Sequence, residues 1–171
     1  MMSIRPEEPG DIRSIRALNE LAFGRPEEAS IIDSLRDACD ELLSLVAVDG
    51  DEVVGHALFS PVTVRGRTST ALGMGLAPMA VLPERQRQGI GSALVRQGLE
   101  RLAKSGCPFV IVLGHAAYYP RFGFERASRH GIQSQWPGIP DDVFMVAILD
   151  PPAFEGVSGV AQYRDEFDQA M

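Results

Sequence analysis

Most of the residues with the clearest chemical capacity are not ionisable. The run Gln86-Arg87-Gln88-Gly89-Ile90-Gly91-Ser92 follows an apolar stretch, Ala71 to Leu82, and opens a helical pattern carried by Ile90, Leu94, Val95, Leu99 and Leu102. Where a strand turns into a helix, the first amides have no partner inside the helix and the dipole presents its positive end, so main chain alone can hold an anion. Two glycines let that main chain approach a pyrophosphate closely. A P-loop would need Lys and Ser/Thr after its last glycine, and a dinucleotide fingerprint would need a third glycine; here Ser92-Ala93 and Leu94 stand at those places. The charge agrees with an anion, since residues 81 to 104 carry five bases and two acids.

The elements that must position this loop follow from periodicity. After Pro9-Gly10-Asp11, the spacing of Ile12, Ile15, Leu18 and Ala22 predicts a first helix, and Ile31, Ile32, Leu35 and Cys39 predict a second over Glu27 to Cys39. Ser3 to Arg5 reads as a short strand. Leu45 to Val48 and Val53 to Phe59 flank a polar Asp49-Gly50-Asp51-Glu52 turn and predict a hairpin. The run from Ala71 to Leu82, with only apolar residues, glycines and one proline, predicts a strand buried on both faces. A helix over Gln88 to Lys104 and a buried strand over Pro108 to Leu113 complete a βαβ unit. A last strand spans Val143 to Leu149, ahead of a tail containing Tyr163 and Phe167.

The 171 residues, 45% hydrophobic and 23% charged, suit one soluble domain with a proper core, and no apolar run is long enough to cross a bilayer. A net charge of -7 excludes a general nucleic-acid binder. The total hides a partition, because residues 1 to 60 sum to -8, residues 61 to 140 to +7 and residues 141 to 171 to -6. Cys39 and Cys107 lie far apart and the N-terminus lacks a signal-peptide core, which predicts a reduced, cytoplasmic setting. Cys107, beside a buried strand, reads as core packing. His56, His115 and His130 show no ligand spacing with the cysteines, so no metal is expected.

The Gln86 to Gly91 run matches the pattern Q/R-x-x-G-x-G/A and resembles the acetyl-coenzyme-A-binding loop of the GNAT (GCN5-related) N-acetyltransferase superfamily. Tyr119-Pro120-Arg121-Phe122-Gly123-Phe124, after the next buried strand, resembles the family's Tyr-x-x-x-Gly-Phe element, and element order agrees over most of the chain. Val112 to Phe124, Gly156-Val157-Ser158-Gly159 and the late Tyr163 to Phe167 further resemble its bacterial YhbS-like branch. The resemblance implies an α/β (α+β) fold with a mixed, mostly antiparallel sheet, a central βαβ unit and a splayed parallel strand pair. It implies one domain over 1–171, with its core in about 3–150 and a C-terminal extension over 151–171.

The activity implied is transfer of an acetyl group from acetyl-CoA to a primary amine, directly in a ternary complex, by a monomer or homodimer without membrane or nucleic-acid partners. By the same resemblance, the main chain of Met79, Ala80 and Val81 pairs with the pantetheine arm. Gln86, Arg87, Gln88, Gly89, Ile90, Gly91 and Ser92 hold the pyrophosphate, and Arg85, Arg87 or Lys104 meet nucleotide phosphates. Tyr119 is the implied general acid toward the departing thiolate; Tyr118 is read as a packing or acceptor-pocket residue. The chain departs from the family in one respect: many relatives carry a glutamate base on the strand before the loop, whereas Leu72 to Leu82 contains no ionisable side chain.

His115, with an ordinary titration range near neutrality, is the candidate base, His56 and Glu84 are further ones, and a water chain with no single base is the remaining possibility. The missing carboxylate keeps open a non-catalytic acyl-CoA-binding sensor or interaction module. Transfer to a hydroxyl or thiol is a third reading. Trp136, amid Pro and Gly, is either an acceptor-pocket or dimer-surface residue or a loop anchor. Because the first two helices border the acceptor entrance in this fold and hold most of the -8, Glu27, Glu28 and Asp33 predict a cationic acceptor.

Overall fold

The computed structural model describes residues 1–170. Its nine strands belong to a mixed sheet, and the chain forms two compact units. The first comprises Met1–Phe59, Ala77–Gly98 and the residues from Glu166 on; the second comprises Ser60–Leu76 and Leu99–Asp165.

In the first unit, β1 (Met2–Pro6) pairs antiparallel with β2 (Leu43–Asp49), and β2 pairs antiparallel with β3 (Glu52–Arg65), with a bulge between Ala47 and Val48. Helices α1 (Ile12–Phe23) and α2 (Glu27–Ala38) bury Ile15, Leu18, Ile31, Ile32 and Leu35. Each such side chain is worth roughly 1.5–3 kcal/mol of burial. Gly24 stops α1 by turning left-handed at φ 69° while its N–H bonds the Glu20 carbonyl. The two helices are tied by an Arg16 to Asp33 ion pair, and Arg36 of α2 reaches back to Glu7 just past β1.

Helix α3 (Ile90–Lys104) buries Ile90, Leu94 and Val95 in this unit. Gly98 marks a close approach: a Cβ there would stand 2.2 Å from Cζ of the fully buried Phe59. Helix propensity alone favours Gly98→Ala by about 1 kcal/mol. The packed ring outweighs it, because overpacking costs about 1–3 kcal/mol. We therefore expect G98A to lower the chemical denaturation midpoint, the reverse of its sign on an exposed helix.

Beneath α1 lies a buried polar chain. His56 is fully buried; its Nε2 lies 2.9 Å from Ser44 Oγ and its Nδ1 lies 3.4 Å from Asn19 Nδ2. Ser44 donates to Glu7 at 2.6 Å, and Arg36 donates to both Glu7 oxygens at 2.9 Å. An imidazole protonated only at Nε2 fits both contacts. Burial drives the His56 pKa from 6.5 down to about 4, against the pull of Glu7 and with a small push from Arg36. Burial raises the Glu7 carboxyl, but Arg36 and Ser44 outweigh it and hold Glu7 below its ordinary value.

A folded state that refuses a proton until about pH 4, where the unfolded chain accepts one at 6.5, loses stability as pH falls through that window. The loss is at most about 3 kcal/mol. In His56→Gln the stability between pH 6.5 and 4 should flatten, as read by urea midpoints across pH, leaving the more acidic slope from carboxyls held below their ordinary values, Glu7, Asp11 and Asp49 among them. An unchanged slope would mean that His56 titrates normally.

The second unit holds β4 (Thr70–Val81) as far as Leu76, and there it pairs in parallel with β5 (Phe109–Leu113) through Met74 with Val110, Gly75 with Ile111 and Leu76 with Val112. Strand β5 pairs antiparallel with β8 (Phe144–Ile148), and β8 with the short β6 (Glu125–Arg126). Strand β9 (Gly159–Gln162) lies antiparallel to the end of β3 and parallel to β7 (Ile132–Ser134). Phe109 is fully buried, covers Gly73 where no Cβ would fit, and meets Phe154 of the short α4 (Pro151–Phe154) edge-on at 5.7 Å.

Several expected boundaries shift for local reasons. Helix α3 starts at Ile90 and not at Gln88, because Arg87 and Gly89 sit at φ 64° and 85°, outside helical space. Strand β3 runs six residues past Phe59, through Pro61, to Arg65. Strand β4 is not buried on both faces along its length: past Leu76 its residues alternate, with Pro78 and Ala80 buried and Ala77, Met79 and Val81 half-exposed.

Candidate functional site

In the first unit the loop after β4 is built by main chain. Pro83–Arg85 form a 3-10 turn in which the Arg85 N–H bonds the Leu82 carbonyl at 2.8 Å. The Gln86 side chain reaches back to donate to the Val81 carbonyl at 3.2 Å. Arg87 then takes the left-handed conformation, unusual for a residue with a Cβ, and Gly89 repeats it. The first intrahelical bond of α3 runs from Ala93 N–H to the Gly89 carbonyl at 3.0 Å, so the amides of Ile90 and Gly91 point out of the helix end. Left-handed and right-handed residues in succession turn neighbouring N–H groups into one concavity, a form suited to an anion.

The side chains around the loop do not all match expectation. Arg85 is engaged by Asp49 at 2.8 Å, and Asp49 also takes the N-terminal ammonium at 3.3 Å. The hydrogen bond from Arg85 is the main reason the Asp49 carboxyl stays below its ordinary value. Arg87 is exposed and forms no ion pair among the described residues. Lys104 is at the opposite end of α3, about 21 Å from Ile90 at 1.5 Å per residue, and pairs with Glu100 at 2.9 Å. That position takes Lys104 out of the phosphate loop. Glu84 is exposed on the 3-10 turn. Met79, Ala80 and Val81 lie on β4 beyond Leu76, its last residue paired with β5.

The second unit presents Tyr119. It is buried to 8% exposure and stacks edge-on against Tyr118 at 5.0 Å, Phe124 at 5.5 Å and Phe122 at 6.3 Å. Burial first, and Tyr118 second, push its phenol up to about 12, so it stays protonated throughout the physiological range. Gly114 gives it room: a Cβ there would stand 2.3 Å from Tyr119 Cε2. Tyr118 is half-buried, with Arg121 over its ring at 5.0 Å. His115 is exposed just past β5, and its carbonyl accepts from the N–H groups of Tyr118 and Tyr119. His56, buried with both ring nitrogens engaged, has a structural role.

Two contributors escaped the sequence reading. Asp49, which holds Arg85, resembles any hairpin-turn acid in sequence. Gly114, which seats Tyr119, had a readable signal in a glycine directly after a buried strand. The acids expected to attract an acceptor are partly neutralised, because Glu28 pairs with Arg25, Asp33 pairs with Arg16 and Arg36, and Glu27 stands 3.8 Å from Arg25. Among the described residues no three His, Cys, Asp or Glu side chains are placed to hold a metal, and no helix is long and apolar enough to cross a membrane.

Residues 3–127 match the family model for the acetyltransferase (GNAT) domain. The chain is 38% identical over 169 residues to the uncharacterized N-acetyltransferase YhbS of Escherichia coli K12, covering 98% of this chain and 99% of that one. It is also 42% identical over 135 residues to the uncharacterized N-acetyltransferase YjhQ of E. coli K12, covering 77% of this chain and 74% of that one. The crystal structure of E. coli YhbS in complex with CoA superposes with a TM-score of 0.91 at 37% identity, over 99% of this chain and 93% of that one. A Brucella melitensis GNAT acetyltransferase in complex with acetyl-CoA gives a TM-score of 0.81 at 35% identity, over 98% and 99%. Glycine loop, mixed sheet, family model and near full-length identity converge: the chain belongs to the GNAT N-acetyltransferase family.

Proposed function

We propose that this protein transfers the acetyl group of acetyl-CoA to a primary amine by direct attack in a ternary complex. The observation that carries the reading is the loop from Gln86 to Ser92, whose left-handed Arg87 and Gly89 turn successive amides into an anion cradle at the start of α3. The E. coli relative in complex with CoA and the Brucella relative in complex with acetyl-CoA, each at 35% identity or more over nearly the whole chain, support acetyl-CoA as the donor. In this reading the loop holds the pyrophosphate and the half-exposed edge at Met79 to Val81 receives the pantetheine amides.

The amine nitrogen forms a bond to the thioester carbon and the C–S bond breaks. The thiolate takes the Tyr119 phenol proton, and the proton shed by the attacking nitrogen leaves through water, with His115 the one exposed histidine beside the site segment.

One observation favours a second reading, an acyl-CoA sensor or interaction module: β4 carries no ionisable side chain to act as base. The two separate in one experiment. With acetyl-CoA and a panel of primary amines, the enzyme releases free CoA above the amine-free rate and yields an acetylated product by mass. The sensor binds acetyl-CoA without release.

A further inference from the structure

Arg85 stands between the sheet and the glycine loop and bonds to both. Its Nη2 donates to Asp49 Oδ2 at 2.8 Å, and its Nε donates to Gln88 Oε1 at 3.4 Å. Asp49 is the last residue of β2 and pairs with Glu52 across the hairpin, so this end of the chain of contacts is fixed on the sheet. Gln88 belongs to the loop itself and lies between the two left-handed residues, Arg87 at φ 64° and Gly89 at φ 85°. The pair is half-buried, with the Arg85 and Asp49 side chains 27% and 34% exposed.

The start of the loop is tied separately. Gln86 donates to the Val81 carbonyl at 3.2 Å, and the Leu82 N–H donates to the Val54 carbonyl of β3 at 3.0 Å. Beyond Gln86 the backbone turns left-handed at Arg87, a conformation that a residue with a Cβ keeps only while its surroundings hold it. A guanidinium suits that task, because its planar fork of donors serves two acceptors in fixed directions. Its charge is already matched by Asp49, whose other oxygen, Oδ1, takes the N-terminal ammonium at 3.3 Å.

We propose that Asp49 and Arg85 are positioning residues for coenzyme binding: Asp49 anchors Arg85, Arg85 braces Gln88, and the brace holds the amides from Arg87 to Ser92 in place for the pyrophosphate. Arg85 is then a support of the loop and not a phosphate ligand. This rests on the acetyl-CoA reading of the loop. Charge alone predicts the opposite sign for one variant. Asp49 is an acid bonded to a residue two positions before Arg87, so Asp49→Asn would remove a repulsion, release the Arg85 cation and tighten binding of an anion. Loss of the brace weakens binding instead.

CoA affinity is measured by calorimetry on the full chain near neutral pH and at low salt. Asp49→Asn, which keeps the shape of the side chain, should raise Kd about three- to tenfold, and Arg85→Gln should raise it by a similar factor. Arg85→Lys keeps the charge but loses the fork, and should weaken binding too. Since both residues act through one chain of contacts, the double variant Asp49→Asn with Arg85→Gln should bind no more weakly than the worse single variant. Unchanged or tighter binding in Asp49→Asn, full affinity in Arg85→Lys, or losses that multiply in the double variant would each overturn the brace. Failure of the unsubstituted protein to bind CoA overturns the acetyl-transfer reading instead.

Discussion

Tyr119→Phe is expected to lower kcat roughly a hundred- to a thousandfold, within the range that general acids supply, while CoA affinity stays within about twofold. The variant keeps the ring contacts to Tyr118, Phe122 and Phe124 and the seat over Gly114, and removes only the proton donor. Folding is therefore preserved and the loss appears in turnover. The pH profile adds a second readout. A donor works in its protonated form, so a phenol at about 12 gives no falling limb near pH 10, where an ordinary tyrosine would be half ionised. A loss of only severalfold in the variant would reduce Tyr119 to packing.

Gly159→Ala is expected to destabilise the fold by about 3 kcal/mol or more. Gly159 sits at φ 132°, and a Cβ there would stand 1.9 Å from the Arg65 carbonyl oxygen and 2.5 Å from its carbon. Those atoms are backbone of the strand that β9 pairs with, so no rotamer relieves the contact. At about 2–4 °C per kcal/mol for a chain of this size, Tm should fall by about 6–12 °C. Gly138→Ala is the control: its φ of 77° is also left-handed, but open space surrounds the added methyl, and about 1 kcal/mol is expected. Similar losses in the two would show that backbone conformation, and not the approach to Arg65, sets the cost.

What could be read from the sequence was local. The apolar run into Gly89 and Gly91 fixed a strand-to-helix turn, and α1, α2, the hairpin and the βαβ order all emerged from spacing within a single element or its neighbour. What could not be read depends on distant partners. Strand β9 has only four residues, and the end of β3 that receives it lies beyond Pro61, so neither advertises the other. Strands β6 and β7, two and three residues long, are too short for periodicity to register.

The same holds within the candidate site. Tyr119 stands out in the sequence through its spacing to Gly123 and Phe124, whereas the packing of Tyr163 on Gly75, nearly ninety residues earlier, has no local signal. His56 looked like a possible base because a histidine's charge state cannot be read without its surroundings; burial against Ser44 and Asn19 makes it a neutral structural group.

A crystal structure of this protein grown with coenzyme A tests the central claim most directly. The pyrophosphate oxygens are expected within hydrogen-bond distance of the main-chain N–H groups between Arg87 and Ser92, with the pantetheine amides on Met79 to Val81. A pyrophosphate bound anywhere else would contradict the account.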